Sequence, residues 1–124
     1  PVSPWLLELV AGMMEEGETP QLLARREALE DSGCEVWDLL LVAEYFSSPG
    51  GTDEYFHLFC ARTDLSDVGL LHGEPGEHED IRLHVIAFDE ALRMQQQGRF
   101  NNAHTLIALQ WLASRRDEVR RAWS

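Results

Sequence analysis

A chain of 124 residues is one domain's worth of polymer and is expected to fold over residues 1–124 around one hydrophobic core. Its formal net charge of −12 argues against nucleic acid and membrane as partners, because both are bound by neutralising phosphate with clustered Lys and Arg, and a phosphate-bearing ligand would need a bridging cation. Hydrophobic residues at 44% and charged residues at 26% match an ordinary soluble protein, and no apolar stretch approaches the roughly 20 residues that would span a bilayer.

The first residues, Pro1-Val2-Ser3-Pro4-Trp5, lack the basic and apolar segments of a signal peptide. The absence of an initiator Met leaves open that the chain is a fragment. The cysteines, Cys34 and Cys60, stand in no CxxC or zinc-like spacing, so reduced, buried thiols in a cytoplasmic protein are expected. Trp5 to Val10 is a short apolar run ended by Ala11-Gly12, a strand leading into a tight turn crowded with Glu15, Glu16 and Glu18. Thr19 before Pro20 is a hydroxyl N-cap ahead of a proline, and Gly33 is a stop residue, which predicts a helix from about Pro20 to Ser32.

Two strands follow, Val36 to Tyr45 and Tyr55 to Ala61, joined as a hairpin through the turn-forming Ser47-Ser48-Pro49-Gly50-Gly51-Thr52. Within the first, Leu39 to Ala43 is the longest apolar run and reads as buried. Residues 65–80 hold glycines, Pro75 and acids without a period and read as a long loop. Ile81, Leu83 and Val85 alternate as a strand does, and Asp89 is placed to cap a short helix from Glu90 to Gln97 that stops at Gly98. A last helix runs from Ala103 to about Arg121, with Leu106, Leu109, Leu112 and Ala113 forming one apolar stripe. Strands interspersed with helices make this an α/β protein, a mixed sheet sandwiched by helices.

The informative segment is Gly12 to Cys34. On the helix, Glu27 lies three residues from Glu30 and four from Asp31, so the three carboxylates share one face. Like charges so placed repel unless something positive sits among them. Mg2+ or Mn2+ suits this oxygen-only set, and Arg26 beside it can hold a carboxylate in place. The competing reading is a solvated helix face with Arg25 and Arg26 supplying ion pairs. Against it, Gly12 and Gly33 frame a strand-loop-helix-loop unit whose acids aim at one place.

Gly12, Glu18, Arg26, Glu27, Ala28, Glu30, Asp31, Gly33 and Cys34 fall on G-x5-E-x7-R-E-U-x-E-E-x-G-U, and in this the chain resembles the Nudix hydrolase family. Asp31 stands where that pattern has Glu, which keeps the charge and shortens the reach by one methylene; Cys34 replaces a large aliphatic residue. Trp5 to Gly12, Ser48 to Thr52, Glu77 to Arg82 and Asn101 to Trp111 look like its bacterial ADP-ribose pyrophosphatase subfamily. The resemblance implies a Nudix-type α/β/α sandwich and hydrolysis of ADP-ribose to AMP and ribose 5-phosphate. It implies metal held by Glu27, Asp31, the Ala11 carbonyl and Glu79, with Glu77 as general base and Arg26 and Glu30 as further catalytic residues. Ser48, Gly51, Glu54 and Met13 match substrate-binding positions, although a plain hairpin turn explains the first three equally well. The subfamily also carries a preceding region that forms a homodimer and stacks the adenine. Two alternatives remain: hydrolysis of another nucleoside diphosphate sugar such as GDP-mannose, or a catalytically inactive binding module.

Overall fold

A hydroxyl followed by proline starts the first helix, as expected. In the computed structural model, which describes residues 9, 11–12, 14–65, 71–72 and 81–124, α1 spans Pro20–Ser32. The Thr19 side chain accepts from the Leu22 N–H at 3.2 Å and so satisfies one of the donors that a helix start leaves orphaned. At the other end Gly33 turns left-handed, φ 71°, and its N–H bonds the Leu29 carbonyl. The strand expected over Trp5 to Val10 lies, apart from Leu9, outside the described residues.

The chain divides into two compact units, one of Pro1–Leu9, Leu41–Cys60 and Ile86–Ser124, the other of Val10–Leu40 and Ala61–Val85. Strands β1 (Val36–Phe46) and β2 (Tyr55–Thr63) pair as the expected hairpin. The Ser47 N–H bonds the Glu54 carbonyl at 3.1 Å, and the N–H groups of Gly51 and Thr52 close the turn on the Ser48 carbonyl. Cross-strand aromatic pairs fix the register: Tyr45 stacks on Phe56 at 5.5 Å and Phe46 meets Tyr55 edge-on at 4.8 Å. The expectation that Leu39 to Ala43 is buried is corrected. These residues are in the strand but half-buried, and Leu41 is 51% exposed, because among the described residues this sheet has only two strands.

In the first unit, α2 (Phe88–Gln96) and α3 (Ala103–Ala122) enclose a small core. Ala91, Met94 and Phe100 are buried, with Ile86, Leu106 and Leu109 packed against them, so two members of the expected α3 stripe do face a core. Asn102 caps α3 by accepting from the Thr105 N–H. Asp89 does not cap α2, which is a correction. The cap position is Ala87, and Asp89 lies inside the first turn, where its carboxylate meets Arg116 of α3 at 3.0 Å. A carboxylate there also suits the positive end of the helix.

In the second unit, β3 (Leu71–His72) pairs antiparallel with β4 (Ile81–Arg82), Leu71 opposite Arg82 and His72 opposite Ile81. The segment expected to be a structureless loop therefore contributes a strand, and the strand expected from Ile81 through Val85 stops at Arg82. The α/β class holds, with antiparallel pairing in both described sheets.

Candidate active site

The site grows from a glycine. A Cβ built on Gly12 would land on the Glu27 carboxylate, so the backbone of the loop and the side chain of α1 approach as closely as only glycine permits. Ala11, whose carbonyl is the expected metal ligand, precedes Gly12, and both residues are exposed. Between this loop and α1, a turn closes on itself: the Glu18 N–H bonds the Glu15 carbonyl at 3.1 Å, the Glu15 N–H bonds Glu18 Oε1 at 3.0 Å, and Gly17 takes φ 77°. That turn presents the Glu18 carboxylate to α1.

Arg26 is the hub. Its Nε and Nη2 donate to the two oxygens of Glu18 at 2.7 and 3.0 Å, a forked pairing that fixes the guanidinium plane. From that position Nη1 donates to Glu27 Oε1 at 2.9 Å and to Glu30 Oε2 at 3.2 Å, and stands 3.7 Å from Glu15. The expected bond from Arg26 to one carboxylate is thus part of a wider set. Glu15 is the member that the sequence pattern did not single out; the only signal for it was the crowding of acids in the turn.

The charges are unequally compensated. Hydrogen bonding from Arg26, then from the Glu15 backbone, holds Glu18 down at about 2, and the same pairing raises Arg26 further. Glu27 moves the other way. Burial pushes its carboxyl above the usual range and the negative charge of Asp31 adds to this, against the pull of Arg26. Asp31 is itself 8% exposed. A half-buried carboxylate and a buried one of like charge, the first pressed against Gly12, are a place where a hard cation would relieve repulsion. The donor set, oxygen only, fits Mg2+ or Mn2+ and suits zinc poorly.

The remaining expected residues divide cleanly. Ser48, Gly51 and Glu54 come together in the turn of the hairpin, in the first unit; Gly51 N–H bonds the Ser48 carbonyl at 2.9 Å and Glu54 Oε1 accepts from the Ser47 hydroxyl at 2.9 Å. Met13, Glu77 and Glu79 lie outside the described residues. Among the described residues no group of three His, Cys, Asp or Glu side chains is gathered in metal-binding geometry. Arg26 engages Glu30 and one oxygen of Glu27. Nor is any helix of the described residues long and apolar enough to cross a membrane.

Residues 1–109 match the model of the NUDIX domain family. The chain is 40% identical over 122 residues to the ADP-ribose pyrophosphatase of Escherichia coli (strain K12), covering 98% of this chain and 58% of that protein. Over 121 residues it is 39% identical to the ADP-ribose pyrophosphatase of Haemophilus influenzae, covering 98% and 56%. A GDP-mannose pyrophosphatase of Escherichia coli is 34% identical over 108 residues, 86% of this chain and 55% of the relative. The chain thus spans a little over half the length of the relatives it matches.

Proposed function

The chain belongs to the NUDIX domain family, and on that premise we propose that the protein carrying it hydrolyses the pyrophosphate bond of ADP-ribose, with Mg2+ or Mn2+, to AMP and ribose 5-phosphate. The observation that carries the chemistry is the Glu27 carboxylate, folded back on Gly12 and crowded by the charge of Asp31. The substrate is supported by 40% identity to an enzyme named for ADP-ribose.

In this reading Glu27, Asp31 and the Ala11 carbonyl would hold the cation, joined by Glu79, and the chemistry a divalent ion would supply there is neutralisation of the diphosphate and polarisation of phosphorus. Arg26 keeps the Glu27 rotamer by its bond to Oε1 and is itself kept in place by Glu18; Glu30 completes its pairing. Glu77 takes the proton of the attacking water, which adds across the phosphoanhydride so that each phosphate leaves with its own sugar. The role of Glu77 and Glu79, and of Ser48, Gly51, Glu54 and Met13 in substrate binding, rests on the resemblance alone, as does a homodimer.

A second reading, GDP-mannose as substrate, is favoured by the 34% identity to a GDP-mannose pyrophosphatase. Product analysis of the full-length protein with a panel of nucleoside diphosphate sugars and Mg2+ or Mn2+ separates the two. Release of AMP and ribose 5-phosphate from ADP-ribose at the highest kcat/KM is the expected result. Faster cleavage of GDP-mannose replaces the first reading by the second, and cleavage of none removes both.

A further inference from the structure

Arg25 points away from the acid cluster that its neighbour Arg26 organises. At about 100° per residue it lies roughly 200° around α1 from Glu27, on the opposite side of the helix. There its Nη1 donates to the Val36 carbonyl at 2.6 Å, bridging eleven residues from α1 to the first residue of β1. The backbone it grips is gripped again from the other strand, where the Thr63 hydroxyl donates to the Glu35 carbonyl at 2.6 Å. The same corner is tied from within: the Ser32 hydroxyl bonds the Ala28 carbonyl, and the Cys34 N–H bonds the Ser32 hydroxyl at 3.2 Å. Ser32, Cys34 and Val36 are all buried.

We infer that Arg25 is a positioning residue that sets the roll of α1 about its own axis and thereby the place of Glu27 and Asp31 relative to the Ala11-Gly12 backbone. Caps fix where a helix begins and ends but not its rotation. Among the described residues apolar burial fixes that rotation only in part: Leu23, Ala24 and Ala28 are half-buried, Leu22 and Leu29 are exposed, and the fully buried residues of α1 are Asp31 and Ser32. The bond from Arg25, an exposed residue, to the carbonyl of buried Val36 adds a directional hold on that rotation from behind the helix. Geometry gives the scale: a roll of about 20° carries a carboxylate some 5 Å from the axis through roughly 2 Å. A metal site tolerates about 0.2 Å in its ligand distances. A guanidinium bond on the far side of the helix thus governs whether the acids meet a cation, and this consequence rests on the metal-site reading above.

The test uses the full-length protein in wild-type, Arg25→Met and Arg25→Lys forms. In the metal-free proteins, amide resonances of Gly12 and Asp31 are followed by NMR; Mn2+ affinity is then measured by calorimetry. Arg25→Met is expected to move both resonances and to weaken Mn2+ binding about tenfold or more, as loss of outer-shell support does. Arg25→Lys retains a donor for the Val36 carbonyl and is expected to stay within about threefold of wild type. A merely structural role would lower the unfolding midpoint while the folded protein bound Mn2+ as before. Should Arg25→Met fail to fold, Arg25→Gln, polar but too short for the carbonyl, takes its place. Unmoved Gly12 and Asp31 resonances overturn the inference. Moved resonances in a protein whose wild type binds no Mn2+ sustain the positioning role and remove the metal reading instead.

Discussion

Helix α1 and the α2–α3 pair are held by opposite means. Between α2 and α3 the contacts are apolar, Met94 and Phe100 buried against Leu106 and Leu109, and α3 starts on an Asn cap. In α1 two leucines are exposed while an aspartate is buried, and order comes from caps, from Arg25 and from four carboxylates around Arg26. Burying a carboxylate is costly unless it is paired or meets a cation, so a helix that buries an acid and shows its leucines is arranged for something other than core building. Local rules broken in this way mark functional elements. On the proposed reading the first helix carries chemistry, and the later pair carries stability.

If that division is right, substitutions in the two regions should separate activity from stability. The largest effect is expected for Glu27→Gln, which removes the charge that a cation requires. A fall in kcat/KM of roughly a thousandfold, about 4 kcal/mol of transition-state stabilisation, should come with an unfolding midpoint equal to or above wild type, since repulsion with Asp31 is relieved. Hydrolysis as fast as wild type would end the assignment of α1. Phe100→Ala should do the reverse, costing about 3–4 kcal/mol in urea unfolding with Mn2+ affinity unchanged in the folded protein. A weakened metal site in that variant would show that the two regions are not separable. Gly12→Ala is intermediate. Its methyl collides with the Glu27 carboxylate, so Mn2+ binding should weaken by about 10-fold to 100-fold for a stability loss of about 1–3 kcal/mol. Calorimetry and unfolding on one sample read both, and wild-type affinity would mean that Glu27 moves aside freely.

Legibility followed the range of the interaction. The ends of α1 were readable because Thr19, Pro20 and Gly33 act on backbone within a turn of themselves, and the hairpin was readable because its turn residues lie between two alternating runs. The start of α2 was misread for the opposite reason. Asp89 has the chemistry of a cap, but Arg116, 27 residues away, holds its carboxylate. The alternation of Ile81, Leu83 and Val85 was real yet the strand ends at Arg82, because alternation records which side chains share a face and does not fix how far a strand runs. At the site, the spacing of Glu18, Arg26, Glu27 and Glu30 announced a cluster, while the unequal charge compensation of Glu18 and Glu27 depends on burial that spacing does not encode. The bond from Arg25 to Val36 had no sequence signal at all: a backbone carbonyl is present at every residue, and nothing marks which one an arginine will reach.

The smallest effect, and the one that probes the wiring most directly, is the pH dependence of Glu18→Gln. In the folded protein Arg26 holds the Glu18 carboxyl at about 2, against an ordinary value of 4.5. The folded state therefore binds this proton less readily than the unfolded chain. Its stabilisation is complete above about 4.5 and declines as pH falls toward 2. Glu27, raised rather than lowered, contributes the opposite slope, and it cancels from the difference to the extent that Arg26 keeps its bond to Glu27 when Glu18 is replaced. The gap in urea midpoint between wild type and Glu18→Gln should then be constant from pH 7 to about 5 and close steadily below that. A gap that stays level, or widens on acidification, would mean that the Glu18–Arg26 fork does not form in solution, and with it would go the fixed guanidinium that keeps Glu27 in place.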